Sequence, residues 1–418
     1  MKTAGLILIL LVLPGAVAAQ ESKVIVLDHA DSLLGKVING EEARELIGHV
    51  RLIQERVTIA CDHALEFRAR GEYQLSGNVV VRDSNTTMLM PRGVYHRADR
   101  WAQAFDSVSL DDGTAHLTAR YGEYFVEPRE GFFRGNVRVV DTSSVITCDS
   151  LRYFRNTRTS FAYGRVRADS KSDNVSIFGG MLEHNQVTAY SRMTVQPILV
   201  QVDTTGGTPD TLIVRSRVMQ SFRDSTRRLI AEDSVRLAGK DIAGRAGYGL
   251  FLARGDSMVL RSQPVIWYQQ SQVSGDSMRI YLIKRRLHRV LVTGTAIAVS
   301  QSDSLHPFRY DQMVGETMDL RFKNQGLDSL EVDVQAIGLY HLYDDTTSNG
   351  LNRISGDKIL MRFGDGKLRS VKVIGGVEGQ YYPENLVRGR DASYALPGAR
   401  WRDDKPVLRR TRQGLMID

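Results

Sequence analysis

Short alternations of apolar and polar residues run along almost the whole chain, and no long stretch shows the 3.6-residue period of an amphipathic helix. One such alternation, YQLSGNVVVRD at Tyr73 to Asp83, returns as FFRGNVRVVD at Phe132 to Asp141. Gly77 and Gly135 in these two stretches are separated by two steps of twenty-nine positions each. The pattern predicts an all-β protein that is built from a repeated unit.

Four positions of the unit stay apolar when the chain is followed from one repeat to the next. Their members are Val50, Leu52, Ile59, Cys61, Val79, Val81, Met88, Met90, Val108, Leu110, Leu117, Val137, Val139, Ile146, Cys148 and Val166. The positions between them are mostly polar, and turn-forming residues such as Asp111 to Gly113 separate the two halves of a unit. Each unit is therefore predicted to be two strands and two turns, with one face of each strand buried.

Glycines on the apolar face, such as Gly77 and Gly135, predict a bulge or a close approach between backbones. The first repeat loses its register after Asn185, and a second pattern with a period of about 40 follows, marked by GDSMRIYL, GETMDLRF and GDKILMRF. We therefore expect a first β-jellyroll over residues 20–200, a linker or insertion over 201–211, a second segment over 212–385 and a basic tail over 386–418.

Residues 1–19 are predicted to be a signal peptide. Lys2 precedes an apolar run from Leu6 to Leu13, and small residues follow it at Ala16 to Ala19. An uncleaved membrane anchor is the alternative, but the apolar run is well short of the ~20 residues that span a bilayer. The sequence thus favours an exported protein.

The net charge of +7 does not predict nucleic-acid binding, because the basic residues are dispersed over solvent faces of strands in an exported protein. The tail differs, since eight Lys and Arg face four Asp between Arg388 and Asp418. These clustered basic residues suit binding to phosphate-bearing lipid head groups or to an acidic partner. A disordered chain end is an equally good interpretation of the tail. The candidate residues are Arg400, Trp401, Arg402, Arg409, Arg410 and Arg412.

Cys61 and Cys148 are separated by three steps of the repeat. In a regular stack they lie about 14 Å apart or more, beyond the ~7 Å that limits Cα separation in a disulfide. We expect two free, inward-facing thiols that behave as small apolar side chains.

Catalytic and metal-binding patterns are weak. GDSM at Gly275 suggests a lipase-type serine, but Ser277 is replaced by Thr317 and Lys358 in the related units. Cys61, Asp62 and His63 offer metal ligands, yet strand alternation places Asp62 on the opposite face. We therefore predict no catalytic residue, no metal site and no cofactor.

The Gly-Asn-Val-x-Val units, the ACDHALEF-type strands, the signal peptide and the late run GLNRISGDKILMRF...VKVIGGVEGQYYPE resemble the OstA-like family, over about Val24 to Glu384. This LptA-like resemblance implies an elongated, open, twisted β-jellyroll in the shape of a V. It also implies a non-enzymatic periplasmic protein, associated with the outer membrane, that carries lipopolysaccharide from the inner to the outer membrane with the lipid A acyl chains between two sheets. The implied partners are components of the inner-membrane lipopolysaccharide ABC exporter, an LptD-like outer-membrane translocon and further copies of the chain, joined head to tail.

Two alternatives stay open at this stage. The apolar columns form either the lining of a lipid groove or a closed hydrophobic core. An exported β-solenoid, structural or carbohydrate-active, such as an adhesin stalk or a polysaccharide lyase, is the second interpretation of the repeat.

Overall fold

The computed structural model describes residues 24–203, 210–252, 257–283, 286–302, 306, 308–324, 326–344, 347–364, 367–411 and 414–418. The predicted signal peptide and residues 204–209 of the predicted linker lie outside them. Within the described ranges, thirty strands form one sheet whose pairs are all antiparallel, and most pairs join strands that follow one another in the chain. The all-β prediction is confirmed, and an antiparallel meander is not the parallel coil of a β-solenoid.

The first half of the chain contributes fourteen strands, most of them long and paired as hairpins. They are β1 (Val26–His29), β2 (Ser32–Ile38), β3 (Glu41–Gln54), β4 (Val57–Phe67), β5 (Glu72–Asp83), β6 (Thr86–His96), β7 (Trp101–Phe105), β8 (Val108–Asp111), β9 (Ala115–Ala119), β10 (Tyr121–Phe125), β11 (Glu130–Asp141), β12 (Ser144–Phe154), β13 (Thr159–Ser170) and β14 (Val175–Asn185).

In the second half, short strands come first, long strands follow, and shorter elements come last. They are β15 (Tyr190–Thr194), β16 (Ile198–Asp203), β17 (Asp210–Arg215), β18 (Val218–Phe222), β19 (Arg228–Ala238), β20 (Ile242–Leu252), β21 (Ser257–Arg261), β22 (Val265–Tyr268), β23 (Ser271–Ser274), β24 (Ser277–Ile283), β25 (Arg286–Gln301), β26 (Tyr310–Lys323), β27 (Gly326–Asp344), β28 (Thr347–Gly364), β29 (Lys367–Ile374), β30 (Glu378–Pro383), helix α1 (Glu384–Val387), a 3-10 turn (Asp391–Tyr394), β31 (Leu408–Thr411) and β32 (Gly414–Ile417). Among the described residues, no helix has the length and hydrophobicity to cross a bilayer.

The sheet is folded along a line that we call the seam, where each long strand breaks its register and passes from one half-sheet to the other. Half-sheet A includes β2, β7, β10, β15, β18, β21, β24 and β29, and half-sheet B includes β1, β8, β9, β16, β17, β22, β23 and β30. The long strands contribute one arm to each, as β5 does on either side of the shift between Ser76 and Val79. The edge opposite the seam, where hairpin turns of the two half-sheets face each other, is called the mouth.

The repeated Gly-Asn pair is the crossing point of the seam. Gly77 and Asn78 have φ angles of +73° and +47°, and Gly135 and Asn136 have +79° and +52°. Glycine adopts this left-handed region at little cost and asparagine is the side chain that tolerates it best. The unit without glycine uses Asp106 at φ +71° for the same turn. The predicted bulge is therefore confirmed, and its purpose is to bend the strand.

A carboxylate from the neighbouring strand fills the space beside each of several crossing glycines. A Cβ atom on Gly77 would lie 2.5 Å from Oδ2 of Asp62, which accepts a hydrogen bond of 2.8 Å from Nδ2 of Asn78. The same arrangement recurs along the seam in the pairs Asp31–Gly48, Asp149–Gly164, Asp276–Gly294 and Asp357–Gly375. Gly275 and Asp276 of the GDSM motif are thus part of a crossing, and so are Gly356 and Asp357 of the last unit.

The longer period of the second half follows from its longer strands. Strands β25 to β28 have 16, 14, 19 and 18 residues, so that a hairpin of two strands takes up more of the chain than in the first half. The sheet also continues through the predicted linker, because β16 pairs with β14 and β17, and β17 pairs with β19.

The described residues 384–411 and 414–418 run back along the outer face of half-sheet B, and we call them the strap. Leu396 and Ala399 pack in a cluster with Ile297 and Val299, and Ile417 packs on Ile213 farther back. Alternate residues of β25 face the interior, so both faces of this strand are buried. A continuous apolar run such as the one around Ile297 is typical of a strand that is covered on both sides.

The crossing predicts a specific sensitivity at Gly77. Gly77→Ala should lower the free energy of unfolding by about 2–4 kcal/mol, because the new methyl group adds a contact with Asp62 to the cost of a left-handed alanine. Chemical denaturation followed by circular dichroism measures the change.

Gly113→Ala is the matched control, since Gly113 has φ +81° but no atom within 4 Å of its added Cβ. It should cost only about 1–2 kcal/mol. If Gly77→Ala costs no more than Gly113→Ala, or if Asp62→Ala fails to relieve the Gly77→Ala defect, the carboxylate does not constrain the crossing.

Candidate functional site

The predicted inward columns lie inside the folded sheet. Fifteen of the sixteen residues are at most 5% exposed and belong to one core cluster that contains side chains of both half-sheets: Val50, Leu52, Ile59, Cys61, Val79, Val81, Met88, Met90, Val108, Leu110, Leu117, Val137, Ile146, Cys148 and Val166. Val139 is partly exposed and packs against the same cluster. Over this part of the chain the half-sheets are in direct contact.

The half-sheets separate farther along, and a cavity of about 620 Å³ opens between them. Its walls are mainly apolar and continue the same columns beyond Ile146. The lining side chains include Ile146, Ala168, Val175, Ile177, Leu182, Met193, Leu199, Leu212, Val214, Met219, Leu229, Phe251 and Met258. Val175 and Ile177 are only partly buried, unlike their counterparts Ile146 and Cys148 one unit earlier, and Ala168 is partly buried like its counterpart Val139.

Polar and charged side chains surround the entrance of this cavity. Arg223 and Arg227 lie in the turn between β18 and β19, Arg228 begins β19, and Asp169 and Asp173 face them from half-sheet B. The cavity therefore combines an apolar interior with a rim that carries three arginines and two carboxylates.

Within the described part of the chain, the contacts between the two sides of this rim are weak. Nη1 of Arg223 donates to the carbonyl oxygen of Ser143 at 3.2 Å, and Nη1 of Arg227 lies 3.9 Å from Oδ1 of Asp173. The Arg227 and Asp173 side chains are about half exposed, and exposed ion pairs contribute little.

A second cavity of about 50 Å³ adjoins the first and shares Ile146 and His184 with it. It reaches back toward the first half of the chain and is lined there by Leu110, Asp112 and Tyr153. The interior void therefore narrows from the large cavity toward Asp112 and Tyr153.

Three tyrosines close the mouth over the first half of the chain. Tyr95, Tyr124 and Tyr153 of half-sheet A follow one another with the step of the first repeat, and their hydroxyl groups donate to acceptors at the tip of half-sheet B. The bonds are Tyr95 to Gln54 at 2.6 Å, Tyr124 to Asp83 at 3.1 Å and Tyr153 to Asp112 at 2.7 Å. We call this row the tyrosine ladder. A hydrogen bond to a neutral acceptor contributes about 0.5–1.5 kcal/mol and one to a charged acceptor about 1.5–3 kcal/mol.

Arginines strengthen the middle rung of the ladder. Asp83 is 1% exposed and lies 2.8 Å from Nε of Arg56 and 3.4 Å from Nη1 of Arg155. Arg56 also contacts Glu127 in half-sheet A at 2.7 Å. A buried carboxylate needs such partners, and here they come from both half-sheets and hold them together.

The ladder ends where the large cavity begins. One repeat step beyond Tyr153 stands Leu182, and one step beyond Asp112 stands Asp141. The Asp141 carboxylate accepts hydrogen bonds from Ser143 N at 2.6 Å and Ser144 Oγ at 2.8 Å, both within its own turn. No hydroxyl can reach across from Leu182, which instead lines the cavity.

The tail candidates lie on or beside the strap. Trp401 stacks on Tyr310 with ring centroids 5.6 Å apart, and Arg402 pairs with Asp404 at 2.7 Å. Arg400 and Arg409 are exposed, and Arg409 pairs with Asp418. The backbone of Arg410 lies in β31, and Arg412 lies outside the described residues.

The weak catalytic and metal motifs are accounted for by structural contacts. His63 lies 2.9 Å from Glu45 of its own half-sheet, and Asp62 lies at the seam. Within the described part of the chain, no three His, Cys, Asp or Glu side chains are grouped as a metal site would require.

Comparison with known proteins supplies a family for part of the chain. Residues 70–147 match the family model described as OstA-like protein. This segment of the chain is OstA-like. The resemblance predicted from the repeat is thereby confirmed, and the OstA-like segment, from β5 to the start of β12, contains the first two tyrosines of the ladder. Most residues that line the large cavity follow it.

Among solved structures, the chain is similar to LptH from Pseudomonas aeruginosa, described as the LptA homologous periplasmic component of the lipopolysaccharide transport device. The identity is 13%, the match covers 34% of this chain and 96% of that chain, and the TM-score is 0.28. No curated protein matches the chain.

Both cysteines are free and buried, as predicted, with Cys61 inside the first units and Cys148 just beyond the OstA-like segment. Burial raises the pKa of the Cys61 thiol to about 11 and that of Cys148 to about 12. The thiolate is the reactive form, so on the order of one Cys61 thiol in a thousand is ionised at pH 8.

We therefore expect both thiols of the folded protein to react with a maleimide at least a hundred times more slowly than those of the urea-unfolded chain at pH 8. Because the pKa values are raised, the rate should increase about tenfold from pH 8 to pH 9. Mass spectrometry of timed aliquots measures it. Rapid labelling of the folded chain would show that the interior is open around these residues.

Proposed function

We propose that this protein is a periplasmic lipopolysaccharide-transport protein whose two half-sheets hold the acyl chains of lipid A on the way from the inner to the outer membrane. The OstA-like segment supports a role in lipopolysaccharide transport. The segment also favours a carrier over an enzyme. Asp276 of the GDSM motif and Asp62 of the weak metal motif agree with this, because both lie beside crossing glycines at the seam.

The observation that carries the proposal is the apolar cavity. Its volume of about 620 Å³ lies within the range of about 300–1,000 Å³ that is typical of small-molecule sites. Transfer of acyl chains from water into an apolar space lowers the free energy. The aliphatic residues Ile177, Leu199 and Leu229 line such a space here.

The columns of the first half extend this space into a track. In the structure they are in contact with the opposite half-sheet, so acyl chains reach Val79, Val108 or Val137 only when the half-sheets part. The proposal thus treats residues 20–200 and 212–385 as two jellyroll segments of one path, of which the cavity is the open part.

The free edges of the sheet suit the proposed partners. Strands β1 and β2 pair only with β3, and β29 and β30 pair only with β28, among the described residues. Val26 and Val37 at the first edge and Leu368 and Tyr381 at the last are exposed. Unpaired edges accept further strands, and we propose that they join the exporter components, an LptD-like translocon or another copy of the chain head to tail. The exposed Arg400 and Arg409 remain candidates for a partner or head-group contact.

Site-specific photo-crosslinking tests the proposal. p-Benzoylphenylalanine at Ile177, which faces the cavity, should capture lipopolysaccharide in cells after irradiation, and so should the same group at Leu229. Immunoblotting for lipopolysaccharide on the shifted protein band detects the product.

Phe178 provides the matched control, because it follows Ile177 on β14, faces outward and is 36% exposed. A crosslinker there should capture little lipopolysaccharide. Absence of product at Ile177, Leu199 and Leu229, or equal capture at Phe178, would contradict an acyl-chain site between the half-sheets.

A further inference from the structure

The tyrosine ladder divides the mouth into a closed part and a weakly closed part. Over β3 to β12, the hydroxyl groups of the buried Tyr95 and Tyr124 and of the partly buried Tyr153 donate to acceptors of the opposite half-sheet. Next to the last rung, Oγ1 of Thr114 lies 3.5 Å from Oε1 of Gln186, and much farther along the chain Tyr268 packs against Phe322. Between Ser143 and Asp173, the contacts that the described residues make across the mouth are those of Arg223 with a backbone carbonyl and of Arg227 with Asp173, both exposed to solvent. We call the interval from Ser143 to Asp173, with the facing turn that contains Arg223 and Arg227, the window.

The rungs are built to stay formed. Burial raises the pKa of Tyr95 to about 12 and also raises the pKa of Tyr124 and of Tyr153, so all three phenols keep their protons and remain donors. Rungs two and three end on carboxylates, which accept stronger hydrogen bonds than a neutral group. The contacts across the window are exposed to solvent, and the contact of Arg223 ends on a neutral backbone carbonyl.

The window is also the place where the interior is already empty. The large cavity lies directly behind it, and Arg223, Arg227 and Arg228 stand at its entrance. Guanidinium groups bind phosphate oxygens through paired hydrogen bonds, so an anionic head could replace Ser143 O and Asp173 as their partner. The apolar walls would then receive the chains attached to that head.

We infer that an amphiphile with acyl chains and a phosphorylated head enters and leaves sideways through the window, and that the tyrosine ladder prevents such passage along the mouth from β3 to β12. The inference rests on the proposed function for the identity of the amphiphile. It adds a route, a head-group site at Arg223 and Arg227, and a role for three tyrosines.

The ladder can be tested without any lipid, by the labelling rate of Cys61. In a Cys148→Ala background, the triple variant Tyr95→Phe, Tyr124→Phe, Tyr153→Phe removes three hydroxyl groups and keeps the rings. We expect maleimide labelling of Cys61 to become faster by on the order of tenfold, in excess of any change in global unfolding measured by denaturation.

Tyr73→Phe is the matched control, because the Tyr73 hydroxyl is also buried and donates to a carboxylate, Glu66, but within half-sheet A. It should change the rate less than about twofold after the same correction. A triple variant that labels no faster than Tyr73→Phe would overturn the role of the ladder, whether or not the protein binds lipid.

Crosslinking to purified lipopolysaccharide tests the route. In the wild type, p-benzoylphenylalanine should capture it at Ile177 and not at Val79, whereas the ladder variant should capture it at both positions. Arg223→Ala with Arg227→Ala should reduce capture at Ile177 severalfold, and the same change at Arg192 and Arg217, away from the window, should not.

The outcomes separate the two proposals. Equal capture at Val79 and Ile177 in the wild type would refute the window while supporting a lipid site. Capture at neither position, together with ladder-dependent labelling of Cys61, would refute lipopolysaccharide as the ligand and retain the ladder as the closure of the mouth.

Discussion

The folded sheet depends on long strands that bend at the seam and pair with the same neighbouring strand on either side of it. The left-handed pair at Gly77 and Asn78 provides that bend, and Asp62 on the neighbouring strand fills the space that a glycine leaves. Because such crossings recur along the chain, the half-sheets remain joined along one side. The distance between the half-sheets can vary only at the mouth, so closure of the mouth is separate from formation of the fold.

Much of the fold could be predicted from the sequence, because the alternation of a half-buried strand and the requirement for glycine at a bend are both local. The columns through Val50 and Val79 were correctly predicted to face inward. The strap was not predicted, although the apolar run of β25 around Ile297 is a local signal that a second face is covered. The tail itself carried no such signal, since its anchoring contacts depend on distant strands, from 84 residues away in the bond from Leu396 N to Gln312 to 130 in the bond from Arg402 N to Gln272.

The candidate site was harder to predict for a physical reason. Tyr95, Tyr124 and Tyr153 were visible as a column with the period of the repeat, but their acceptors lie 41 residues earlier in the chain. That offset reflects the stagger between the half-sheets, which periodicity alone does not determine. Whether apolar columns enclose a core or a cavity also depends on the distance between the half-sheets. Ile146 is buried, whereas Ile177, in the neighbouring column one unit farther along, is only partly buried.

The ladder shows how one repeat can yield two behaviours. Where an acceptor meets a tyrosine, the mouth is held by buried hydrogen bonds and the interior is filled with side chains. Where Leu182 replaces the tyrosine, Asp141 turns back to its own backbone, and the interior next to it is empty. The replacement of the tyrosine by Leu182 in this column thus coincides with the change from a filled to an open interior. The short strands β15 to β18 follow at the same place, so the opening combines a missing bond across the mouth with a change in the strands.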